Sequence, residues 1–233
     1  MTELTFPPAM TGEAVDGDPF ETAVMRAVTG CDAGLVTYRV RVDTLAAALV
    51  LAPEVPLRQA AAMLPLAAVG FQNALGALAP PEVAVHLEWQ GGMRINGASC
   101  GRFRAAAATD DPDAEPAWLV VGFELPLLPA DDETGHAPDR TALMVEGCAD
   151  VDPGQLVESW ARHTLNWIAR WEDAGPAPLH ADWRALAQGI GEETTLNGKT
   201  GTFLGIDEDF GLLLRDAETT HLIPLTSILE ASP

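Results

Sequence analysis

Apolar and polar residues alternate in several short segments of the first half of the chain, as they do in half-buried β-strands. Residues 35–42 (LVTYRVRV) and 82–89 (EVAVHLEW) show this alternation. Residues 44–51 (TLAAALVL) are rich in alanine and end before two prolines, so we interpret them as a second strand. The apolar segments 100–108 and 118–128 are interpreted as further strands. Together these segments predict the sheet of a first domain.

Apolar residues at helical spacing predict four helices in the same part of the chain. The first begins behind Asp18-Pro19, because proline fits the first turn of a helix. A long Ala- and Leu-rich helix is predicted to break near Pro65. The predicted helices cover residues 18–29, 57–78, 153–171 and 179–187, and the Asp- and Pro-rich segments 109–116 and 129–138 are predicted to be exposed loops.

The pattern changes near residue 190 to short apolar segments separated by tight turns. These segments (193–198, 199–207, 210–216 and 220–225) predict a small all-β unit, and Asn197-Gly198 is a strong hairpin signal. The 42 residues from Glu192 to the end cannot bury enough surface to fold alone, so we expect this unit to dock on the first domain. The predicted domains are residues 1–188 and 189–233.

The charge of the chain excludes one class of function. Its formal net charge is −21, and Lys199 is the one lysine beside twelve scattered arginines. Nucleic acids and anionic membranes are bound through clustered basic residues, so neither is expected as a partner. No apolar run approaches the ~20 residues that span a bilayer, and the start, MTELTF, lacks a basic leader. A soluble cytoplasmic protein is expected.

Cysteine and histidine positions predict neither a disulfide framework nor a metal site. Cys31, Cys100 and Cys148 are odd in number and do not have metal-ligand spacing. His86, Glu88 and His136 do not form such a spacing either. The cysteines are therefore interpreted as free thiols of a reducing compartment.

A run of residues in the middle of the chain resembles the signature of the biotin/lipoate protein ligase family. Residues 87–92 (LEWQGG) stand where that family has Lys-Trp-Pro-Asn-Asp, and a short strand, Asn96-Gly97 and Gly101 follow in family order. The tryptophan-bearing segment 160–184 resembles the closing helices of its catalytic domain. Residues 201–214 resemble its SH3-like C-terminal domain.

The resemblance implies an α+β fold: a ligase-like mixed sheet with helices packed on one face, followed by a small all-β SH3-like barrel. Members of the family activate a carboxylic acid such as biotin or lipoate with ATP and magnesium and transfer it to a lysine of a carrier protein. A biotinyl or lipoyl carrier domain is thus the implied partner, and a homodimer is compatible with the fold. The residues implied to bind the ligand are Trp89, Gly91, Gly92, Arg94, Asn96, Gly97, Cys100 and Gly101.

The chain departs from the family at the positions that carry the chemistry. Glu88 stands in place of the catalytic lysine, and Gln90-Gly91-Gly92 replaces Pro-Asn-Asp. The Gly/Arg-rich loop expected between the first two strands is missing, since residues 38–51 contain Arg39 and Arg41 but no glycine. No catalytic residue is therefore assigned, and ATP-dependent adenylation is expected to be very weak or absent.

Two alternatives to a ligase remain open from the residues alone. The first is a non-catalytic binding or regulatory module that keeps the ligase scaffold. The second is an acyltransferase that uses Cys100 as a thioester-forming nucleophile, which requires a lowered thiol pKa.

Overall fold

A seven-stranded mixed sheet is the centre of the molecule in the computed structural model, which describes residues 4–129, 139–196 and 198–230. Its strands lie in the order β1-β2-β3-β7-β6-β5-β4; β1 is parallel to β2 and the other neighbouring pairs are antiparallel. The strands are β1 Thr11–Ala14, β2 Leu35–Val40, β3 Thr44–Leu51, β4 Val85–Leu87, β5 Gly92–Ile95, β6 Ala98–Ala107 and β7 Leu119–Pro126. The predicted mixed sheet is confirmed, and β1 is an addition to it.

The predicted helices are confirmed with small shifts in their ends. They are α1 Pro19–Val28, α2 Leu57–Ala60, α3 Met63–Leu78, α4 Pro153–Ala174 and α5 Ala177–Leu186, and Leu143–Glu146 and Leu225–Ile228 form 3₁₀ turns. Asp18 caps α1 by accepting a hydrogen bond from the Phe20 N–H (2.8 Å). Asp152 caps α4 in the same way through the Gln155 N–H (2.8 Å).

Helices cover both faces of the sheet, which corrects the expectation that they pack on one face. The helices α3 and α4 pack on the face that carries Leu49 and Phe123. Helix α1 packs on the opposite face, where Phe20 clusters with Val50 and Val120. Because β3 is apolar at nearly every position, both of its faces must be covered.

The segment Leu57–Leu78 is long and apolar enough to cross a membrane by length and composition alone, with a mean hydropathy of 1.4. The expectation that no apolar run approaches that length was therefore wrong. The segment is divided into α2 and α3, since Pro65 lies in the first turn of the second helix, where its missing N–H is tolerated. Most of its apolar window, 72 %, is buried inside the molecule, as in the core helix of a globular domain.

The described residues after 189 form a four-stranded antiparallel sheet in the order β11-β10-β9-β8. The strands are β8 Glu193–Leu196, β9 Lys199–Ile206, β10 Leu212–Arg215 and β11 Thr220–Ile223. The all-β C-terminal unit is thus confirmed, whereas its closure into an SH3-like barrel and the domain boundary at 188/189 stay predictions. Asn197 of the predicted hairpin turn and the loop residues 130–138, with His136, lie outside the described residues.

The C-terminal sheet docks on the first domain, as predicted from its small size. Phe203, Phe210 and Leu212 are buried in one continuous core with the central sheet and its helices. The Gln188 N–H donates to the Leu87 carbonyl (2.8 Å) at the junction. Shared apolar burial therefore stabilises a unit that is too small to stand alone.

Asp216 holds the β10–β11 turn together. Its carboxylate accepts hydrogen bonds from the Thr219 N–H (2.7 Å), the Glu218 N–H (2.8 Å) and His221 Nε2 (2.6 Å). These bonds hold the pKa of Asp216 below its ordinary value, and the bond from the Thr219 N–H has the largest effect. Because this pKa is lowered, the ionised carboxylate stabilises the folded state at pH values above the unfolded-state pKa of ~3.9. This stabilisation is lost as the pH falls through the folded-state pKa.

We therefore expect Asp216→Asn to lower the melting temperature at pH 7 and to flatten its decrease below about pH 4. Melting curves from pH 7 to pH 2 check this, with Asp173→Asn on the exposed side of α4 as the control. A profile of Asp216→Asn parallel to that of the unchanged protein would contradict this account of the turn.

Candidate functional site

The turn between β4 and β5 holds the residues that stand at the position of the ligase signature. The Glu88 N–H donates to the Gly92 carbonyl (2.8 Å) and the Gly91 N–H donates to the Glu88 carbonyl (3.0 Å). Gly91 has a φ of +88°, and a Cβ there would lie 2.5 Å from the Phe103 carbonyl oxygen. The turn can approach β6 this closely only with glycine at that position.

Glu88, which the sequence predicts to stand in place of the family's lysine, forms an ion pair with Arg94. Its Oε1 accepts from Arg94 Nε (2.6 Å), and Arg94 Nη1 also donates to the Gly97 carbonyl (2.9 Å). The two side chains are 37 % and 31 % exposed, so the pair faces solvent. A Cβ on Gly92 would collide with Glu88 Oε2, so Gly92 leaves the space that this carboxylate occupies. The position therefore carries a neutralised anion, where the signature has a cation.

Trp89 connects the first domain to the C-terminal sheet. Its side chain is 6 % exposed, and its Nε1–H donates to the Phe210 carbonyl (2.8 Å) 121 residues further along the chain. The one polar atom of the indole is thus committed to an internal bond. This geometry assigns Trp89 a structural role.

Two clefts adjoin Glu88 and Trp89. The first is lined by Glu88, Trp89, Gly91, Gly92 and apolar residues of α3, α5 and the C-terminal unit. This cleft is narrow, with space for about one water molecule. The second is an open cleft of about 250 Å³. It is lined by Glu88, Trp89, Gln90 and Arg94 on one side and by Gln188, Gly189, Glu192, Glu193, Thr194, Leu196, Phe203 and Leu212 on the other. In the second cleft three glutamates face one arginine, an unfavourable setting for a phosphate group.

Asn96, Gly97 and Gly101 line neither cleft and shape the backbone instead. Asn96 and Gly97 both have positive φ, +50° and +91°, as a two-residue hairpin turn requires. The Asn96 side chain accepts from the Ala84 N–H (2.9 Å) and donates to Glu146 Oε2 (2.9 Å). Gly101 has a φ of +94°, and a Cβ there would collide with the Glu124 carbonyl oxygen.

Cys100 is fully buried, with 0 % exposure, next to the irregularity that Gly101 introduces into β6. Burial, with smaller effects of Glu146 and Cys148, raises the pKa of its thiol to about 12. A protonated, inaccessible thiol is not a nucleophile at neutral pH, which argues against a thioester mechanism.

The connection between β2 and β3 is a tight hairpin of residues 41–43. The Arg41 N–H donates to the Thr44 carbonyl (2.9 Å), which closes the turn. Arg39 Nη1 donates to the Gly17 carbonyl (2.7 Å) and Arg41 Nη2 to the Asp16 carbonyl (3.0 Å), so both arginines are tied to the segment before α1. The hairpin contains no glycine-rich loop.

A row of charged residues crosses the sheet on the side of α1. Strand pairing places five residues side by side across five neighbouring strands, in the order Arg39, Ala46, Glu124, Arg102 and Gly92. Directly paired residues point to the same face of the sheet. Arg39 Nη2 lies 3.9 Å from Glu124 Oε1, and its buried Nε has no partner. Arg102 is exposed and forms no ion pair with any residue that the structure describes.

We name this surface the charged face: Arg39, Glu88, Arg94, Arg102 and Glu124. Of these, Arg94 and Glu88 belong to the predicted signature, while Glu124 was missed. Its signal in the sequence is a lone acid inside the apolar run of β7, which indicates that one side of that strand meets solvent near a cation. Among residues 4–129, 139–196 and 198–230, no group of three or more His, Cys, Asp or Glu side chains could hold a metal ion.

Comparisons with known proteins agree with this architecture. Residues 6–185 match the profile of the biotin/lipoate A/B protein ligase family, and residues 190–231 match a domain of unknown function (DUF4444). A biotin–[acetyl-CoA-carboxylase] ligase of Paracoccus denitrificans is 26 % identical over 189 residues, which are 78 % of this chain and 78 % of that protein.

Solved structures include close and distant relatives of the fold. A biotin protein ligase-like protein of unknown function from Silicibacter sp. TM1040 is 62 % identical, with a TM-score of 0.93 over 98 % of this chain and 100 % of that one. Biotin protein ligase from Aquifex aeolicus is 15 % identical, with a TM-score of 0.73 over 92 % and 96 % of the two chains. The same Aquifex protein in complex with biotin and ATP has a TM-score of 0.70 at 14 % identity, covering 92 % of this chain and 95 % of that one.

Proposed function

The chain belongs to the biotin/lipoate A/B protein ligase family, and from that premise we propose that it binds a small carboxylic acid of the biotin or lipoate type on the charged face. It holds the acid without converting it to an adenylate at the rate of an enzyme. The protein is a ligand-binding module on a ligase scaffold, and we further propose that it works in the cytoplasm, where its cysteines stay reduced.

The observation that carries this proposal is the short hairpin between β2 and β3. A loop of N–H groups and basic side chains is the usual means of holding the phosphates of a nucleotide. Residues 41–43 supply no such loop, and Glu88 presents a carboxylate near the same face. ATP with magnesium therefore does not fit the residues present.

The charged face suits a monocarboxylate better than a phosphate ester. Its three arginines and two glutamates leave a net charge of 3 − 2 = +1 in a chain of net charge −21. On the charged face, Arg102 is exposed and forms no ion pair with any residue in the described part of the chain. A guanidinium binds a carboxylate through two parallel hydrogen bonds, which gives both strength and orientation.

We expect biotin or lipoate to raise the melting temperature of the protein and Arg102→Gln to weaken that binding. At ~100 times the dissociation constant a ligand stabilises the folded state by ~2.7 kcal/mol, which corresponds to roughly 5–10 °C for a chain of this size. Loss of a hydrogen bond to a charged group should reduce the affinity about tenfold or more. Calorimetric titration of both proteins measures this reduction.

The matched control is Arg162→Gln on the exposed side of α4, far from this face. The amide of biotin is the second control, because it keeps the ring and chain but lacks the charge. Equal affinity of Arg102→Gln and Arg162→Gln for biotin would show that the carboxylate does not bind at the charged face.

A second candidate function is residual ligase activity toward a carrier-protein lysine. The Paracoccus relative, described as a biotin–[acetyl-CoA-carboxylase] ligase, favours it. In that case a biotinyl or lipoyl carrier domain is the partner. Formation of an acyl-adenylate from ATP separates this candidate from the first.

A further inference from the structure

Arg104 extends the charged face toward α1. It lies two residues from Arg102 on β6, so both side chains point to the same face of the sheet, and it is paired with Gly122 of β7. Its guanidinium lies 4.2 Å from the centre of the Phe20 ring, and its side chain is 11 % exposed. A mostly buried arginine on a binding face must find an anionic partner.

Three carboxylates surround this one guanidinium. Arg104 Nη1 donates to Asp18 Oδ2 (2.9 Å), and Nη2 donates to Glu21 Oε1 (2.7 Å). Glu230 forms a bidentate pair with the guanidinium: Arg104 Nε donates to Glu230 Oε1 and Arg104 Nη2 donates to Glu230 Oε2, both at 2.7 Å. One positive charge therefore meets three negative charges, so the carboxylates also repel one another.

The three carboxylates differ in how firmly the fold holds them. Asp18 caps α1 and Glu21 lies in its first turn, so helix α1 fixes both. Glu230 lies outside the helices and strands, and its backbone is attached to β6 by the bond from its N–H to the Ala105 carbonyl (2.8 Å). Glu230 is thus the carboxylate that can leave Arg104 with the least disturbance of the fold.

We propose that Arg104 is a binding residue for the carboxylate of the ligand and that Glu230 occupies this place in the ligand-free protein. A ligand carboxylate displaces the Glu230 side chain, takes over its forked hydrogen bonds and lies between Arg104 and Arg102. The C-terminal segment then competes with the ligand and sets its affinity. This inference rests on the proposed function, because it names the subsite on the charged face.

The test compares Glu230→Gln and Glu230→Ala with the unchanged protein by calorimetric titration of biotin and of biotin amide. Removing the competing charge is expected to tighten biotin binding about tenfold, which is ~1.4 kcal/mol, and to leave the binding of the amide unchanged. Glu218→Gln, an exposed acid in the β10–β11 turn, is the matched control. Melting curves verify that each variant is folded.

Hydrogen exchange supplies a second readout in the unchanged protein. Saturation with biotin is expected to speed exchange of the Glu230 N–H, which is bonded to Ala105 in the free protein. Biotin binding that is equally tight in the Glu230 variants, with unchanged exchange at Glu230, overturns the inference and leaves the proposed function standing. Absence of biotin binding to every one of these proteins overturns both.

Discussion

Pyrophosphate exchange dependent on biotin or lipoate is expected to be at least about a hundredfold slower with this protein than with a competent ligase. Removing one group that stabilises developing charge typically lowers the rate by ~10²–10³-fold. On our proposal, Glu88 stands at the position of the lysine with a charge of the wrong sign, and residues 41–43 form a short hairpin in place of a phosphate-binding loop. Incorporation of labelled pyrophosphate into ATP measures the exchange.

The Paracoccus biotin ligase is the positive control for that assay. Glu88→Lys alone is not expected to restore exchange, because the new ammonium group would lie beside Arg94, and residues 41–43 would still provide no loop. Exchange at roughly 1–1000 per second, the range of ordinary enzymes, would return the protein to the class of active ligases.

Trp89→Ala is expected to lower the free energy of unfolding by about 3–5 kcal/mol, the usual range for removing a large aromatic side chain from a core. The indole is almost fully buried where the turn after β4 meets the C-terminal sheet, and its N–H satisfies the Phe210 carbonyl. The substitution creates a cavity and leaves that carbonyl without its partner. Denaturant unfolding measures the loss.

A milder variant separates the two contributions of this side chain. Trp89→Phe keeps a ring in the cavity but loses the hydrogen bond, so we expect a decrease of about 1 kcal/mol. Hydrogen exchange in residues 199–223 should increase in Trp89→Ala, because the C-terminal sheet loses its anchor. Unfolding midpoints of both variants equal to that of the unchanged protein would refute the anchoring role.

The main elements of the fold were predictable because their signals are local. Two or three neighbouring residues are enough to indicate the capped starts of α1 and α4 and the Asn96-Gly97 turn. Strand β1 was missed because its four residues, TGEA, are mostly exposed and gain their place only through parallel pairing with β2. No periodicity within four residues indicates such a partner.

The placement of α1 on the second face of the sheet had no clear signal either. In β3, Ala46, Ala47 and Ala48 are equally small and apolar, so the alternation that distinguishes two faces is lost. Strand pairing shows what the sequence could not, namely that Ala47 faces α3 and α4 while Ala48 faces α1.

The candidate site was only partly predictable from the sequence for a related reason. The signature segment identified Glu88 and Arg94 as neighbours of a functional position, and the structure pairs them. The row from Arg39 through Glu124 to Arg102 depends on the register of strands that are distant in the chain. The bond between Trp89 and Phe210 likewise joins residues that only the folded chain brings together.

The central claim is that the protein binds the acid without activating it, and one measurement tests it directly. The protein is incubated with labelled biotin, ATP and magnesium, separated from free ligand, and denatured so that the bound label can be identified by chromatography. We predict that the label is retained by the protein and recovered as unchanged biotin, with no AMP or pyrophosphate formed. Recovery of biotinyl-adenylate, or no retention of label at millimolar biotin, would contradict the claim.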